Sequence, residues 1–163
     1  MNSVGTLFFF CGKMGSGKST YAKKLAKELN AILLSEDEWL STIFPEEIND
    51  IQDYIKYSSR LKLILKEHIK TLLKSGLSVV MDFPGNTINQ RKWFKEIFLE
   101  ELIPHKLIYL KAEDLLCLKR IENRRNNSIK PSPFDTKEVF YQITNYFQSP
   151  NPEEGFNLET IEQ

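Results

Sequence analysis

Residues 12–20 of the chain read GKMGSGKST and directly follow the apolar run TLFFFC at residues 6–11. The spacing G-x-x-x-x-G-K-[ST], the pattern of a phosphate-binding P-loop, is met by Gly12, Gly17, Lys18 and Ser19. Glycines permit a tight turn in which successive backbone N–H groups converge on phosphate oxygens. An ordinary glycine-rich turn is the alternative. The strand-like run before the motif and the helix-like pattern after it favour the P-loop, because that loop joins a strand to a helix.

Two side chains of the motif have expected roles in holding a nucleoside triphosphate. Lys18 is expected to place its ammonium group on the β- and γ-phosphates, and the Ser19 hydroxyl is expected to help hold Mg²⁺. The start of the next helix adds the positive end of its dipole. The sequence therefore predicts a site for ATP and Mg²⁺ that is lined by the loop residues Gly12, Met14, Gly15, Ser16, Gly17, Lys18, Ser19 and Thr20.

Composition limits the class of protein. The 163 residues suit one domain spanning 1–163, and a 41% hydrophobic content supports a core. Because 22 basic residues balance 22 acidic ones, nucleic acid is not favoured as a partner, although a local basic patch stays open. Cys11 and Cys117 lack metal-ligand spacing and read as reduced thiols. With no apolar run long enough for a signal peptide or membrane span, we expect a cytoplasmic protein without membrane contact.

Apolar runs alternate with amphipathic segments along the chain. Strands are predicted at 6–11, 31–34, 77–82 and 106–111, with a weaker candidate at 156–161. Helices are predicted at 19–29, 50–75, 87–101 and 114–125, followed by a last helix that Asp135 and Glu138 are placed to cap. Strands separated by helices pair in parallel, with helices on both faces of the sheet. The chain is therefore predicted to form a three-layer α/β sandwich.

Three chemical features follow predicted strands directly. The first strand ends at Gly12, the second is followed by Asp37, and the third ends at Asp82. Ligands of parallel α/β sheets gather at the carboxyl ends of the strands. These features are therefore expected to meet at one edge of the sheet.

Two aspartates are candidates for chemistry at that edge. Asp82, after Val79-Val80-Met81, has the appearance of a Walker B aspartate that reaches the Mg²⁺ shell or orients the acceptor; an ordinary turn residue is the alternative. Asp37 is placed to orient an acceptor hydroxyl and take its proton. The acidic run around it equally suits a solvated helix start, and spacing alone leaves the two readings even. Trp39 is either a core aromatic or a stacking surface for a planar acceptor.

Two arginines define a candidate lid around 114–134. The spacing of four puts Arg120 and Arg124 on one helix face, where both guanidinium groups can point at the same phosphates. Basic residues also suit helix C-termini, so a solvated helix end is the alternative. We favour the lid, because phosphoryl transfer benefits from arginines that close over the γ-phosphate.

The motifs together resemble small P-loop kinases of the zeta-toxin, polynucleotide 5′-hydroxyl kinase and chloramphenicol phosphotransferase type. The resemblance rests on GKMGSGKST, SEDEWL, VVMDFPGNTINQR, LKRIENRR and the tail from FDTKEVFY onward. It implies a five-stranded parallel sheet in the order 2-3-1-4-5, an acceptor-activating role for Asp37 and lid roles for Arg120 and Arg124. It also implies that Arg91 contacts acceptor or phosphate. Leu40 stands where many relatives carry an arginine that grips an acceptor phosphate.

The residues and the resemblance lead to one expected activity. We expect an ATP- and Mg²⁺-dependent phosphotransferase that moves the γ-phosphate to a hydroxyl of a small molecule. The alternatives are a kinase for 5′-hydroxyl ends of polynucleotides, and a nucleotide-dependent switch or binding module that has no acceptor. A nucleoside-monophosphate kinase is less favoured, because Arg60 is the only arginine in residues 40–60.

Overall fold

A computed structural model of the chain describes residues 3–163. In chain order the elements are β1 (Leu7–Cys11), α1 (Lys18–Glu28), β2 (Ile32–Ser35), α2 (Glu36–Ile43), α3 (Ile51–Lys74), β3 (Val79–Pro84), α4 (Ile88–Phe98), β4 (His105–Lys111), α5 (Asp114–Asn126), α6 (Lys137–Thr144), a short 3₁₀ helix (Pro152–Glu154) and β5 (Leu158–Glu162). The expected alternation of strands and helices is confirmed.

The five strands form one parallel sheet in the order β2-β3-β1-β4-β5. The expected order is therefore confirmed, and the weak fifth strand is present. β1 lies at the centre of the sheet, and Leu7, Phe9 and Phe10 on it are completely buried. A nearly uninterrupted apolar strand suits this position, because helices cover both faces of a parallel sheet.

Helices pack on both faces of the sheet. On one face α3 contributes a largely apolar stripe that includes Leu65, Ile69 and Leu73, which pack with β-strand residues such as Met81. On the other face Ala22 and Ala26 of α1 pack against Phe10 and Val80. This arrangement confirms the three-layer α/β sandwich and leaves the carboxyl edge of the sheet for the loops.

The registers bring the carboxyl ends of three strands together. Phe9 pairs with Met81, and Ser35 pairs with Asp82. The P-loop after β1, the start of α2 after β2 and Asp82 on β3 are therefore neighbours, as the sequence predicted.

The helix boundaries differ from expectation in three places. The acidic run after β2 opens a complete helix, α2, and α4 ends at Phe98 rather than near residue 101. Its capping box is confirmed, with Thr87 and Gln90 each accepting from the other's backbone. The cap of α6 is Thr136, whose hydroxyl oxygen accepts from the N–H of Val139; the expected cap at Asp135 is wrong, because its carboxylate binds Arg124. Within residues 3–163 no helix combines the length and apolar character that crossing a membrane requires.

Candidate active site

The loop between β1 and α1 depends on glycine at two positions where a side chain has no room. A Cβ atom on Gly12 would lie 2.7 Å from the carbonyl oxygen of Leu110, and one on Gly15 would lie 2.6 Å from the carbonyl oxygen of Cys117. Gly15 also has φ of +80°, which disfavours any residue with a side chain. Helix α1 begins at Lys18, directly after these glycines. The backbone therefore forms an open cradle at a helix N-terminus, an arrangement that suits phosphate.

Lys18 lies across this cradle. Its ammonium group donates hydrogen bonds to the carbonyl oxygens of Gly12 and Lys13, the second at 3.0 Å. Burial lowers the pKa of Lys18, and the nearby Cys11, Asp82 and Asp37 oppose that shift. The ammonium group therefore lies inside the P-loop, close to the position where a phosphate would bind.

Ser16 shows how the cradle fits an anion-binding loop. Its hydroxyl oxygen is buried and has no hydrogen-bond partner among the described residues. Arg120 donates from the other side to the Ser16 carbonyl oxygen at 3.0 Å. One polar group of the loop thus lacks a protein partner, which is common where a polar ligand binds.

Ser19 and Asp82 provide oxygen atoms beside the cradle. The pKa of Asp82 is raised by burial, while its contact with the Ser19 hydroxyl and the charge of Lys18 oppose that rise. Within residues 3–163 no three histidine, cysteine or acidic side chains converge as a metal cage. A hydroxyl and one carboxylate fit Mg²⁺, which typically keeps waters and phosphate oxygens in most of its octahedral shell.

Asp37 stands in the first turn of α2, after the N-cap residue Ser35. Burial of its carboxylate, followed by the charges of Glu36 and Asp82, raises the pKa of Asp37 to about 6, and Arg124 and Lys18 oppose the rise. The residue nevertheless keeps solvent-accessible surface. Asp37 therefore lies at the surface among charges from β3, α5 and the P-loop, where a hydroxyl compound can approach it.

Glu36 points the other way and was missed by sequence reasoning. Its carboxylate is only 1% exposed and accepts hydrogen bonds from the hydroxyls of Tyr54, at 2.5 Å, and Ser58. Burial and the Glu36 charge raise the pKa of Tyr54 well above its usual value. The signal in the sequence was the pair of hydroxyl residues spaced by four along a largely apolar helix face. These bonds tie α2, and with it Asp37, to α3.

The two predicted lid arginines, Arg120 and Arg124, form hydrogen bonds with different parts of the protein. Arg120 contacts the P-loop through the carbonyl oxygen of Ser16. Arg124 donates from Nε to Asp135 at 2.8 Å, and its side chain remains half exposed. The charge of Arg124 acts on the pKa of Asp37, so both arginines lie on the site side of α5. Asp135, which anchors the loop after α5, was assigned to a helix cap by sequence reasoning.

The two side chains considered as acceptor contacts, Trp39 and Arg91, pack against other parts of the protein. Trp39 is half-buried and packs against the core on the α3 face. Arg91 is 0% exposed and pairs with Glu154, with Nε–Oε2 and Nη2–Oε1 distances of 2.8 and 2.9 Å. Its remaining donors bind backbone carbonyls, including that of Gly85 at 2.9 Å. The expected acceptor contact of Arg91 is corrected on this ground, because the guanidinium is closed off from any ligand.

Asn86 forms a hydrogen bond with the P-loop that the sequence did not predict. Its side-chain oxygen accepts the backbone N–H of Gly12, the first glycine of the P-loop, at 2.9 Å. The two residues are 74 positions apart in the chain. No local pattern points to such a bond, since it depends on the neighbouring positions of β1 and β3 in the sheet.

The chain has a P-loop at the carboxyl edge of a parallel sheet whose strand order is 2-3-1-4-5. These two features define a P-loop protein with a kinase-type fold. Residues 7–150 match the sequence profile of the AAA_33 family, described as an AAA domain. The chain belongs to that family.

Relatives and solved structures agree with this class. The chain is 28% identical over 125 residues to an adenylate kinase of Rickettsia bellii (strain RML369-C), covering 72% of this chain and 58% of the relative. It is 26% identical over 141 residues to a shikimate kinase of Dictyoglomus turgidum (strain DSM 6724 / Z-1310), covering 82% and 75%. The chain thus spans less than two thirds of the adenylate kinase that it matches. The APS kinase CysC of Mycobacterium tuberculosis, solved with AMPPNP and APS, shares the fold with a TM-score of 0.63, 16% identity and coverage of 98% and 89%.

Proposed function

We propose that the protein is an ATP- and Mg²⁺-dependent kinase that transfers the γ-phosphate to a hydroxyl group of a small molecule. One observation carries the proposal. Ser35 pairs with Asp82, and β3 lies between β2 and the P-loop strand β1, so the start of α2 that carries Asp37 adjoins Asp82 and the P-loop. The charges of Asp82 and Lys18 accordingly act on the pKa of Asp37. A carboxylate suited to act on a hydroxyl and an ammonium suited to hold phosphates therefore belong to one site.

The P-loop side of the site holds the donor. Lys18 leaves the carbonyl oxygens of Gly12 and Lys13 and moves to the β- and γ-phosphate oxygens, while the amides of the loop surround the phosphates. Ser19 and Asp82 would hold Mg²⁺, which would supply positive charge against the phosphate oxygens. In this proposal the γ-phosphate points toward the carboxyl ends of β2 and β3.

Asp37 acts on the acceptor. It accepts a hydrogen bond from the acceptor hydroxyl, aligns the oxygen with the γ-phosphorus and takes the proton as the new P–O bond forms. The bond from the γ-phosphorus to the bridging oxygen breaks, and ADP leaves with the electron pair. Arg120, already at the P-loop, and Arg124 face the charge that spreads over the transferred group.

Two features favour a small acceptor. The adenylate, shikimate and APS kinases are named for small acceptor molecules. The chain also has equal numbers of basic and acidic residues, whereas a polynucleotide acceptor is better served by an excess of basic charge. We therefore place small hydroxyl compounds ahead of 5′-hydroxyl ends of polynucleotides.

The proposal is tested by following the labelled γ-phosphate of ATP with Mg²⁺ against nucleosides, sugars, amino sugars, hydroxy acids and 5′-hydroxyl oligonucleotides. We expect transfer to one class of small molecule. Lys18→Ala should abolish transfer, and Asp37→Asn should abolish transfer while ATP still binds. Lys27→Ala, a change to an exposed lysine on the same helix, is the matched control and should remain active.

Two results would redirect the assignment. Transfer to oligonucleotides alone, with binding that weakens steeply as salt rises, would identify a polynucleotide kinase. ATP binding without transfer to any compound of the panel would contradict a kinase and support a nucleotide-dependent switch.

A further inference from the structure

The first glycine of the P-loop is held at both of its backbone polar groups. Its N–H donates to the side-chain oxygen of Asn86 at 2.9 Å, and its carbonyl oxygen accepts from the ammonium group of Lys18. Gly12 is buried, so its N–H has no water to replace a lost partner. The hydrogen bond from Gly12 to Asn86 therefore orients the peptide at the start of the P-loop. Through the Gly12 carbonyl oxygen it also affects the position of the Lys18 ammonium group.

Asn86 is itself fixed by two backbone bonds. Its N–H donates to the side-chain oxygen of Gln90 at 2.8 Å, and its carbonyl oxygen accepts the N–H of Gln148 at 2.9 Å. The first bond belongs to the cap of α4, and the second comes from the segment 148–154 beyond α6. Asn86 thus stands between the start of a helix and a distant part of the chain, and neither support is a P-loop residue.

The buried side chain of Arg91 contacts the backbone on both sides of this arrangement, at Gly85 and at Gln148. Nη1 of Arg91 donates to the carbonyl oxygen of Gly85 at 2.9 Å and to that of Gln148 at 2.8 Å. Its other nitrogens form the paired contact with Glu154, and its side chain is 0% exposed. A buried guanidinium needs all of these partners, because an unpaired buried charge is strongly destabilising. The residue before Asn86 and the residue bonded to Asn86 are therefore held by one side chain.

We propose that Asn86 is a positioning residue for the nucleotide site, and that the Arg91–Glu154 pair maintains it in place. Asn86 sets the peptide at the entrance of the P-loop so that the later amides and Lys18 meet the phosphates without rearrangement. Preorganised donors bind an anion more tightly than donors that must first be ordered. This inference rests on the nucleotide binding in the proposed function and is independent of the acceptor.

The test compares two asparagines at the same helix start. Asn86→Ala removes the acceptor for Gly12, whereas Asn89→Ala changes an exposed residue without a hydrogen bond to the P-loop. Binding of Mg²⁺–ADP and of adenosine is measured by calorimetry for both variants and for the unchanged protein. We expect the Kd of ADP to rise about tenfold in Asn86→Ala, equivalent to about 1.4 kcal/mol. The Kd of adenosine should stay constant, and Asn89→Ala should match the unchanged protein.

The ratio of the two Kd values separates positioning from general stability. A merely structural role for Asn86 would lower the melting temperature and leave the ratio of ADP to adenosine affinity unchanged. An unchanged ratio, whether both affinities stay constant or both fall equally, would overturn the proposal.

A second variant tests the Arg91–Glu154 part, and its own ADP affinity can be measured whether or not Asn86→Ala folds. Glu154→Gln keeps the shape of the side chain and removes its charge. We expect a smaller, ADP-selective loss of affinity that does not add to the loss in Asn86→Ala when both changes are combined. Full additivity, or an unchanged ADP affinity in Glu154→Gln, would contradict the link.

The same measurements distinguish this inference from the proposed function. Tight ADP binding in the unchanged protein, weakened selectively in Asn86→Ala, supports the inference even where no acceptor is phosphorylated. Transfer activity with an unchanged ADP affinity in Asn86→Ala supports the kinase and overturns the inference.

Discussion

The hydroxyl of Tyr54 on α3 donates a hydrogen bond of 2.5 Å to the buried carboxylate of Glu36 on α2. Ser58, one turn along α3, donates to the other oxygen of the same carboxylate. A buried charge with two hydroxyl donors holds the start of α2 in one place. Because Asp37 is the next residue, the two hydrogen bonds to Glu36 also limit where the proposed base lies.

Tyr54→Phe tests this relationship. Hydrogen bonds to charged groups contribute about 1.5–3 kcal/mol, so we expect the free energy of unfolding in urea to fall by about 2 kcal/mol. We also expect kcat to fall while the KM for ATP stays unchanged, since the P-loop is not altered. Tyr146→Phe, at a tyrosine that is 72% exposed, is the control and should change neither quantity. An unchanged kcat in a destabilised Tyr54→Phe would separate the bond from catalysis.

The raised pKa of Asp37, about 6, gives a pH dependence with a definite sign. Its folded pKa lies above the unfolded value, so the ionised carboxylate weakens folding, and stability is lost as pH rises from about 4 to about 6. Without Mg²⁺, Asp37→Asn should therefore melt at a higher temperature than the unchanged protein at pH 7. The difference should vanish near pH 4.

The matched exchange is Glu122→Gln at an exposed position of α5, which should show no such pH-dependent gain. Thermal melts across the pH range measure both variants. A constant difference between Asp37→Asn and the unchanged protein from pH 4 to 7 would contradict the raised pKa.

Gly15 and Gly155 form a matched pair for the P-loop cradle. Both have positive φ, +80° and +74°, so alanine is strained at either site. Only at Gly15 would the new Cβ meet backbone at 2.6 Å, whereas at Gly155 the nearest atom is the flexible end of Lys95 at 3.9 Å. Gly155→Ala should cost about 1–2 kcal/mol of stability and keep ATP binding.

Gly15→Ala should be more destabilising than Gly155→Ala and should lose ATP binding, because the loop must move away from Cys117. Urea unfolding and ATP calorimetry measure both variants. Equal stabilities and equal ATP affinities in the two alanine variants would show that the contact with Cys117 does not shape the cradle.

Asp135 lies in the loop after α5 and pairs with Arg124 of that helix. Its carboxylate is 6% exposed and binds Arg124, so Asp135→Asn removes the charge that holds this half-exposed arginine. We expect faster backbone hydrogen exchange in residues 127–136, with α1 unaffected. Glu138→Gln, at an exposed position in the first turn of α6, is the control. Unchanged exchange in Asp135→Asn would show that other contacts order the loop.

Patterns among residues close in the chain predicted most of the secondary structure. The motif from Gly12 to Ser19, the apolar strands and the capping box of α4 each involve residues that are close in the chain, and the structure contains all of those elements. The length of α2 was not predicted, although a helix start at the acidic run was, because acidic residues indicate where a helix begins and not where it ends. The strand order was available from the resemblance, since no short-range pattern specifies which strands pair.

The sequence by itself determined the P-loop, the alternation of strands and helices, and the placement of Asp37 and Asp82 after strands. The tertiary structure alone decided what the remaining polar side chains do. Arg91 pairs with Glu154 across 63 positions, and Asn86 reaches Gly12 across 74. Sequence periodicity reports neighbours within a helical turn or along a strand, whereas these bonds form only where packing brings distant segments together. A buried polar side chain takes whatever partner the packed fold provides, because leaving it unpaired costs more than any local preference.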